Sequence, residues 1–179
     1  MYIGFDLDQI FIQYPAYISS KIVDRLYKQK TQEGLSYRIP SRAEQLFRLA
    51  THTQTFRKPM KENLLFLAEL KRNQRDSYYL ITGRFDFLKK RTEAFIKKHN
   101  FDTIFDGMYF NYKNEQPHLF KDSIIKKLHL DRYVDDDFDL LNYLAQRNAN
   151  TTFFWLNKRK EGKVLDNLIA VTKLQPVFD

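Results

Sequence analysis

The sequence of 179 residues contains no cysteine and no long apolar run that is free of charged residues. The absence of cysteine excludes disulfide bonds, thiolate metal sites and cysteine nucleophiles, and it is typical of a reducing compartment. Because no long uncharged apolar run exists, we expect no membrane-spanning helix. The N-terminus also lacks the basic, apolar and small-residue pattern of a secretory signal. Together these absences predict a cytoplasmic protein.

The chain does contain enough apolar residues for a folded core. Hydrophobic residues make up 43% of the sequence and aromatic residues 16%, so disorder is not expected. The length suits one domain, with room for an inserted subdomain. The net charge is +8, because 30 lysines and arginines outnumber 22 acidic residues. This charge favours an anionic substrate and gives weaker support for nucleic-acid binding.

The N-terminal stretch combines a strand pattern with two carboxylates. Residues 2–5 are apolar and β-forming, which predicts a buried strand, and Asp6 and Asp8 follow it directly. In a parallel sheet, the C-terminal ends of the strands open onto the crevice where ligands bind. Two neighbouring carboxylates are unfavourable unless a cation or hydrogen-bond donors offset them, and Mg²⁺ prefers such oxygen ligands. These residues alone also allow a simple acidic turn after a strand.

Strand patterns alternate with helix patterns along the rest of the chain. Further strands are predicted at 77–81, within 103–110, at 132–134 and at 152–156, and helices at 18–30, after Ser41, and at 60–73, 85–98, 120–130, 140–144 and 163–172. Ser41 and Glu44 have the spacing of a capping box. The alternation predicts an α/β fold, a Rossmann-like three-layer α/β/α sandwich with a central parallel sheet. We interpret residues 13–59 as a small helical cap inserted after the first strand, with residues 1–12 and 60–179 forming the core.

Polar residues stand at or beside the ends of successive predicted elements. They are Asp6 and Asp8, Thr82 and Gly83, Lys121, and Asp135 and Asp136. In this order they resemble the four motifs of the haloacid dehalogenase-like (HAD) superfamily of phosphatases and phosphotransferases. The resemblance covers most of the chain, and the predicted insertion after the first strand is similar to the cap of that superfamily. It implies a HAD-like core and a Mg²⁺-dependent phosphatase.

The resemblance assigns the chemistry of the reaction to the first two aspartates. Asp6 would be the nucleophile and would form an aspartyl-phosphate, which divides hydrolysis into two easier steps. Asp8 would protonate the leaving oxygen and then deprotonate the attacking water. For both steps we expect a mobile Asp8 carboxyl whose pKa is raised toward the working pH.

The resemblance also implies a phosphate-binding set. Thr82 would donate its hydroxyl, and the backbone N–H groups from Gly83 onward would open a helix and bind the anion. Lys121 would neutralise a phosphate oxygen and offset the crowded carboxylates. Lys113 and Lys126 are the alternatives for this lysine.

A magnesium site is the remaining implied feature. Its ligands would be Asp6, the backbone carbonyl of Asp8, and Asp135, with water completing the octahedron. Asp136 would be a second acidic ligand or would orient Asp135, and Asp139 could replace it in that role. The sequence departs from the superfamily pattern at Gln9, where glycine is common, and at Ile10, where threonine or valine is usual. Neither change removes a reacting group.

Several alternatives follow from other parts of the sequence. The four histidines show no zinc-ligand spacing, so we expect them in the core or on the surface. These are His52, His99, His118 and His129.

The expected substrate is a small phosphorylated metabolite or a nucleotide, and a dehalogenase is disfavoured because Asp8 would have no task there. The alternative function is an inactive HAD-like basic module that binds nucleic acid or a protein partner through clusters at 89–91 and 158–160.

Overall fold

A seven-stranded sheet forms the centre of the protein in a computed structural model, which describes residues 1–14, 28–31, 34–53, 55–73, 76–157, 159 and 161–179. The strands among these residues are β1 (Tyr2–Phe5), β2 (Lys28–Thr31), β3 (Gly34–Tyr37), β4 (Ser77–Thr82), β5 (Gly107–Phe110), β6 (Arg132–Asp135), β7 (Thr152–Leu156), β8 (Gly162–Leu165) and β9 (Leu168–Val171). The central sheet has the order β5-β4-β1-β6-β7-β9-β8, and only the β8–β9 pair is antiparallel. This confirms the predicted α/β fold with a mostly parallel sheet.

Helices cover both faces of this sheet. They are α1 (Arg42–Thr51), α2 (Lys61–Asn73), α3 (Lys89–Lys98), α4 (Pro117–Leu128) and α5 (Phe138–Ala145), with short 3₁₀ turns at Asp86–Leu88, Phe101–Thr103 and Gln175–Val177. The core consists of two apolar clusters. One contains residues of α2 and α3, and the other contains residues of α4 and α5. The three-layer arrangement is therefore confirmed.

Strand β1 packs against both layers because its side chains alternate. Ile3 and Phe5 are fully buried in the cluster that includes α2 and α3. Gly4 faces the other layer, where a β-carbon would lie 2.5 Å from Leu130 Cδ1 and 2.8 Å from Tyr133 Cδ2. Only glycine fits this gap without displacing those side chains, so residue 4 brings the two layers close around the central strand.

The predicted helix at 163–172 is wrong, because this segment forms the hairpin β8–β9. Strand β9 pairs in parallel with β7 and in antiparallel with β8. The side-chain amide of Asn167 donates to the backbone carbonyls of Ala145, Asn148 and Thr151 at 3.0–3.2 Å and fixes the turn. Burial of an apolar strand on the open edge of the sheet outweighs any local preference for helix.

The predicted helix at 18–30 can be compared with the structure only at residues 28–30. Residues 15–27 lie outside the described residues, while residues 28–31 belong to β2 and pair in antiparallel with β3. The helix prediction is therefore wrong for residues 28–30. The strands of this hairpin form hydrogen bonds with each other and with the rest of the protein. The spacing of apolar residues along the sequence does not predict such tertiary contacts.

The ends of the predicted insertion lie side by side. The backbone N–H of Gln13 donates to the carbonyl of Lys58 at 2.9 Å, and that of Met60 donates to the carbonyl of Phe11 at 2.8 Å. The capping box of Ser41 and Glu44 is present at the start of α1. The division of the chain into a core and a cap at 13–59 stays a prediction. Among the described helices, none has the length and apolar character to span a membrane.

Candidate active site

Parallel pairing brings the predicted polar residues to one edge of the sheet. Strand β1 lies between β4 and β6 and runs parallel to both. Asp6 follows β1, Thr82 is the last residue of β4, and Asp135 is the last residue of β6. The C-terminal ends of these three strands therefore meet, and helix α4 brings Lys121 to the same place.

A buried lysine joins two of the predicted aspartates. Lys121 Nζ lies 2.7 Å from Asp6 Oδ1 and 2.7 Å from Asp135 Oδ2. The exposed fractions of Asp6, Lys121 and Asp135 are only 6%, 4% and 1%. Asp135 is oriented further by the Tyr133 hydroxyl at 3.0 Å and by the backbone N–H of Asp137 at 3.0 Å. Burial opposes the charge on Lys121, but Asp135 and Asp6 raise its pKa, so the ammonium persists between them.

A third acid completes a group with the character of a metal site. One carboxylate oxygen from each of Asp6, Asp135 and Asp136 lies within 4.8 Å of the other two. Opposite ligands of Mg²⁺ are about 4.2 Å apart, so these three side chains fit a small divalent cation. Burial and neighbouring acids raise the pKa of Asp136 and raise that of Asp6 to about 7, although Lys121 opposes the shift at Asp6. A cation there would offset this excess of negative charge. Asp139 instead lies 3.4 Å from Lys28 Nζ.

The Asp8 carboxylate is paired with an arginine that does not belong to the four motifs. Arg84 Nε donates to Asp8 Oδ2 at 2.8 Å, and Arg84 Nη2 donates to Asp8 Oδ1 at 2.7 Å. Arg84 is itself fixed by a bond from Nη1 to Thr92 Oγ1 at 3.2 Å. Burial works to raise the pKa of Asp8, but the Arg84 guanidinium holds it well below its usual range. The sequence predicts a raised pKa for Asp8, whereas the structure gives a lowered one. The reason is that a paired arginine favours the ionised carboxylate.

Gly83 lies beside the lysine, directly after Thr82 at the end of β4. The backbone N–H of Arg84 points to Thr82 Oγ1 at 3.4 Å. A β-carbon on Gly83 would lie 3.0 Å from Pro117 Cβ and 3.6 Å from Lys121 Cε. The missing side chain therefore lets the start of α4 approach β4 closely and place the lysine. The phosphate-binding role of Thr82 and Gly83 stays a prediction, as does the metal contact of the Asp8 carbonyl.

The two departures from the superfamily pattern are accommodated by the backbone and the core. Gln9 adopts the left-handed region at φ 56°, a conformation that costs a residue other than glycine about 1 kcal/mol. Ile10 is fully buried in the apolar core. Both side chains are thus compatible with the turn that follows β1.

A second group of side chains that does not belong to the four motifs lies near Asp8, which Arg57 approaches to 3.9 Å. His52 Nδ1 is 2.7 Å from the Arg48 carbonyl oxygen, and His52 Nε2 is 3.2 Å from Arg57 Nη2. The Arg57 guanidinium stacks on the ring of Tyr14 at 4.4 Å. Burial first, and then the nearby Arg84 and Arg57, lower the pKa of His52, so its ring is neutral. His52 is thus in the core, which is one of the two places that the sequence predicted.

The hairpin β2–β3 is bonded to the rim of the site. Lys28 Nζ and the Tyr37 hydroxyl contact the two carboxylate oxygens of Asp137 at 2.6 Å and 2.8 Å. The side chain of Gln116 bonds the backbone N–H and carbonyl of Tyr37 at 2.8 Å and 3.1 Å. Asp137 and Gln116 are the N-cap residues of α5 and α4. The hairpin is therefore attached next to Asp136 and at the start of α4, the helix that carries Lys121.

The alternative lysines do not reach the carboxylates. Lys126 pairs with Asp122 at 2.7 Å on an exposed part of α4, and Lys113 is exposed. Lys121 is thus the lysine that the structure brings to Asp6 and Asp135. No histidine among the described residues belongs to the group of metal-ligating atoms.

No protein-family model and no curated protein sequence matches this chain. Solved structures do match it. A haloacid dehalogenase-like family hydrolase from Streptococcus pneumoniae is 14% identical with a TM-score of 0.56, over 88% of this chain and 84% of that chain. A protein assigned as a beta-phosphoglucomutase from Thermotoga maritima is 14% identical with a TM-score of 0.58, over 96% and 94%. A HAD-superfamily hydrolase from Ehrlichia chaffeensis is 10% identical with a TM-score of 0.54, over 98% and 93%. The chain therefore has the HAD-like fold that the motifs predicted.

Proposed function

We propose that this chain is a Mg²⁺-dependent phosphatase that hydrolyses a phosphate monoester, a small metabolite or a nucleotide, through an aspartyl-phosphate on Asp6. The observation that carries the proposal is the buried lysine that contacts Asp6 and Asp135 at 2.7 Å each. Such a concentration of charge at the ligand-binding edge of an α/β sheet suits a phosphoryl group, whose spread charge needs cations around it. The HAD-like fold, shared with two proteins named as hydrolases, supports the same reaction class.

In the first step, an oxygen of Asp6 attacks phosphorus as the bond from phosphorus to the ester oxygen breaks. The N–H of Asp8 donates to Asp6 Oδ2 at 2.8 Å and Lys121 contacts Oδ1, so the attacking carboxylate has a fixed orientation. The Lys121 ammonium offsets negative charge on the transferring group. Mg²⁺ bound by Asp6, Asp135 and Asp136 would supply further positive charge to the phosphoryl oxygens.

In the second step, water attacks the phosphorus of the aspartyl-phosphate and releases phosphate, which restores Asp6. Asp8 takes the proton of that water, a task that suits the ionised state in which Arg84 holds it. The first step needs a proton on the leaving oxygen, which Asp8 can supply only after its pair with Arg84 separates and its carboxylate takes up a proton. We therefore infer that substrate binding breaks the bidentate contact between Arg84 and Asp8.

Removal of the divalent cation tests the proposed function directly. We expect the full chain to hydrolyse p-nitrophenyl phosphate in the presence of Mg²⁺, and we expect EDTA to reduce the initial rate by roughly a hundredfold or more. The reason is that Asp6, Asp135 and Asp136 would otherwise repel the substrate. The measurement is the release of p-nitrophenol at constant ionic strength.

EDTA that has been saturated with Mg²⁺ beforehand is the control, since it adds the same chelate without removing the cation. Rates that stay equal with EDTA and with its magnesium complex would reject a metal-dependent reaction. Absence of hydrolysis under every condition, across aryl phosphates and a panel of phosphorylated metabolites, would reject the phosphatase.

A further inference from the structure

Arg57 is a buried cation with hydrogen-bond donors that are not used. Its exposed fraction is 8%, and its Nε and Nη1 atoms have no hydrogen-bond partner within the described ranges of the chain. Nη2 alone is engaged, by His52 Nε2 at 3.2 Å. Buried charged donors are costly when they lack acceptors. We therefore expect the missing acceptors to come from a bound molecule.

The charges around Arg57 do not balance. Asp8 is bound by both Arg84 Nε and Arg84 Nη2, and the nearest approach of Arg57 to this carboxylate is 3.9 Å, from Nη1 to Oδ1. Two guanidinium groups thus share one carboxylate, and the neighbouring His52 is neutral. A buried excess of positive charge favours an anion at this place.

The guanidinium of Arg57 is held in position before any ligand binds. Because His52 Nδ1 lies 2.7 Å from a carbonyl oxygen, that of Arg48, it carries the proton, and Nε2 is left to accept from Arg57. The ring of Tyr14 packs on the guanidinium at 4.4 Å. A cation that is fixed in this way loses little conformational entropy when an anion binds.

A cleft lies beside this guanidinium. The cleft has room for about one water molecule. It is lined by Arg57, Arg84, Arg91, His52 and Thr53, together with the apolar Ile12 and Phe95. A water molecule in the cleft would accept hydrogen bonds from Arg57, but it would leave the excess charge in place. An anionic oxygen of a ligand would satisfy both the donors and the charge.

The position of Arg57 relative to Asp8 indicates which part of a substrate it would meet. Arg57 approaches Asp8, whereas Lys121 contacts Asp6 and Asp135. In the proposed reaction, Asp8 serves the leaving oxygen and Asp6 receives the phosphoryl group. Arg57 is therefore on the side of the leaving group.

We propose that Arg57 binds a second anionic group, a phosphate or a carboxylate, on the leaving part of the substrate. The proposal rests on the proposed phosphatase function for the direction in which the substrate lies. It defines the substrate class as phosphate monoesters of alcohols that carry another phosphate or a carboxylate a few bonds from the scissile ester. Arg57 is then a residue that determines specificity.

Two matched pairs of substrates test the proposal in the full chain with Mg²⁺. The pairs are ethyl phosphate with phosphoglycolate, and propyl phosphate with propane-1,3-diol bisphosphate. In at least one pair, we expect the substrate with the second anionic group to have a kcat/KM about 10 to 100 times higher than its partner without that group. The gain should come mainly from a lower KM, and its size is that of a charge-assisted hydrogen bond. The pair that shows the preference identifies the second group as a carboxylate or a phosphate.

Replacement of Arg57 by glutamine is expected to bring the ratio of kcat/KM within that pair to about one. The control is Arg42→Gln, which removes the same charge from an exposed position in the first turn of α1 and should keep the wild-type ratio. If Arg57→Gln does not fold, Arg57→Lys retains the charge without the planar set of donors, and an intermediate ratio is expected. Equal ratios in the wild type and the Arg57 variants, or no preference in the wild type, would overturn the proposal.

A binding measurement separates this proposal from the phosphatase itself. Isothermal titration with methylenebisphosphonate, which cannot be hydrolysed, compares the wild type with Arg57→Gln. A loss of affinity of about tenfold or more in the variant supports the anion site even if no substrate is hydrolysed. Equal affinities of the two proteins would reject the site even if hydrolysis occurs.

Discussion

Asp6→Asn is expected to lower the hydrolysis of p-nitrophenyl phosphate by about 10⁴-fold or more. An amide cannot attack phosphorus as a carboxylate does, so the aspartyl-phosphate cannot form at position 6. Asparagine has nearly the same shape, and Lys121 retains Asp135 as a partner at 2.7 Å. The variant should therefore fold, and the loss should appear in kcat. The measurement is the steady-state rate, together with the intact mass of acid-quenched protein during turnover.

The wild type is expected to gain the mass of one phosphoryl group in that quench, and Asp6→Asn is expected to gain none. Asp166→Asn is the control, because Asp166 is an exposed acid that pairs only with Lys163 among the described residues at 2.9 Å. It should behave like the wild type. A variant at position 6 that keeps a tenth of the wild-type rate would disprove nucleophilic catalysis by this residue.

Lys121→Met is expected to destabilise the fold by about 3–5 kcal/mol near pH 8, because it leaves two buried carboxylates without their cation. Burial raises the pKa of Asp6 to about 7 even with the lysine present, and removal of the lysine raises it further. A carboxyl whose folded pKa lies above its unfolded value near 3.8 binds protons more readily when folded. The destabilisation should therefore grow as the pH rises through about 7 and shrink toward pH 5.

Urea unfolding at pH 5.5 and pH 8, without added metal, measures this pH dependence. The matched control is Lys126→Met in the same helix, where the side chain is 53% exposed and its pair with Asp122 lies at the surface. We expect that control to change the free energy of unfolding by less than about 1 kcal/mol at both pH values. Two outcomes would contradict the stabilising role of Lys121 between Asp6 and Asp135. One is an equal loss of stability in both variants, and the other is a loss in Lys121→Met that does not change with pH.

The main elements of the fold could be predicted because their local and tertiary preferences agree. Strand β1 is apolar and ends directly before Asp6, and the parallel order of the sheet follows from the alternation of strands and helices. The hairpin β8–β9 could not be predicted from helical spacing. Its formation depends on an unpaired edge of β7 that only the assembled sheet provides, and on Asn167, whose amide bonds three carbonyls of one loop region.

The candidate site divides in the same way. The meeting of Asp6, Lys121 and Asp135 could be predicted, since the ends of neighbouring parallel strands share one edge. The pairing of Asp8 with Arg84 was harder to predict, because the sequence indicates it only by an arginine directly after Gly83. The contact of Arg57 with His52 and Tyr14 had no signal in the sequence, because it depends on how residues 13–59 return to the sheet.

Asp137 belongs to two parts of the molecule at once, and this links them electrostatically. Its carboxylate receives Lys28 and Tyr37 from the hairpin, while its charge helps to raise the pKa of the adjacent Asp136. When the Lys28 ammonium is bound there, it cancels part of the field that would attract a metal ion. The two binding equilibria are linked, so their effects on each other are equal. A bound metal ion weakens the binding of Lys28 to Asp137 by the same free energy by which bound Lys28 weakens the binding of the metal ion. Loading the site with a divalent cation would thus weaken the ion pair between Lys28 and Asp137, before any substrate arrives.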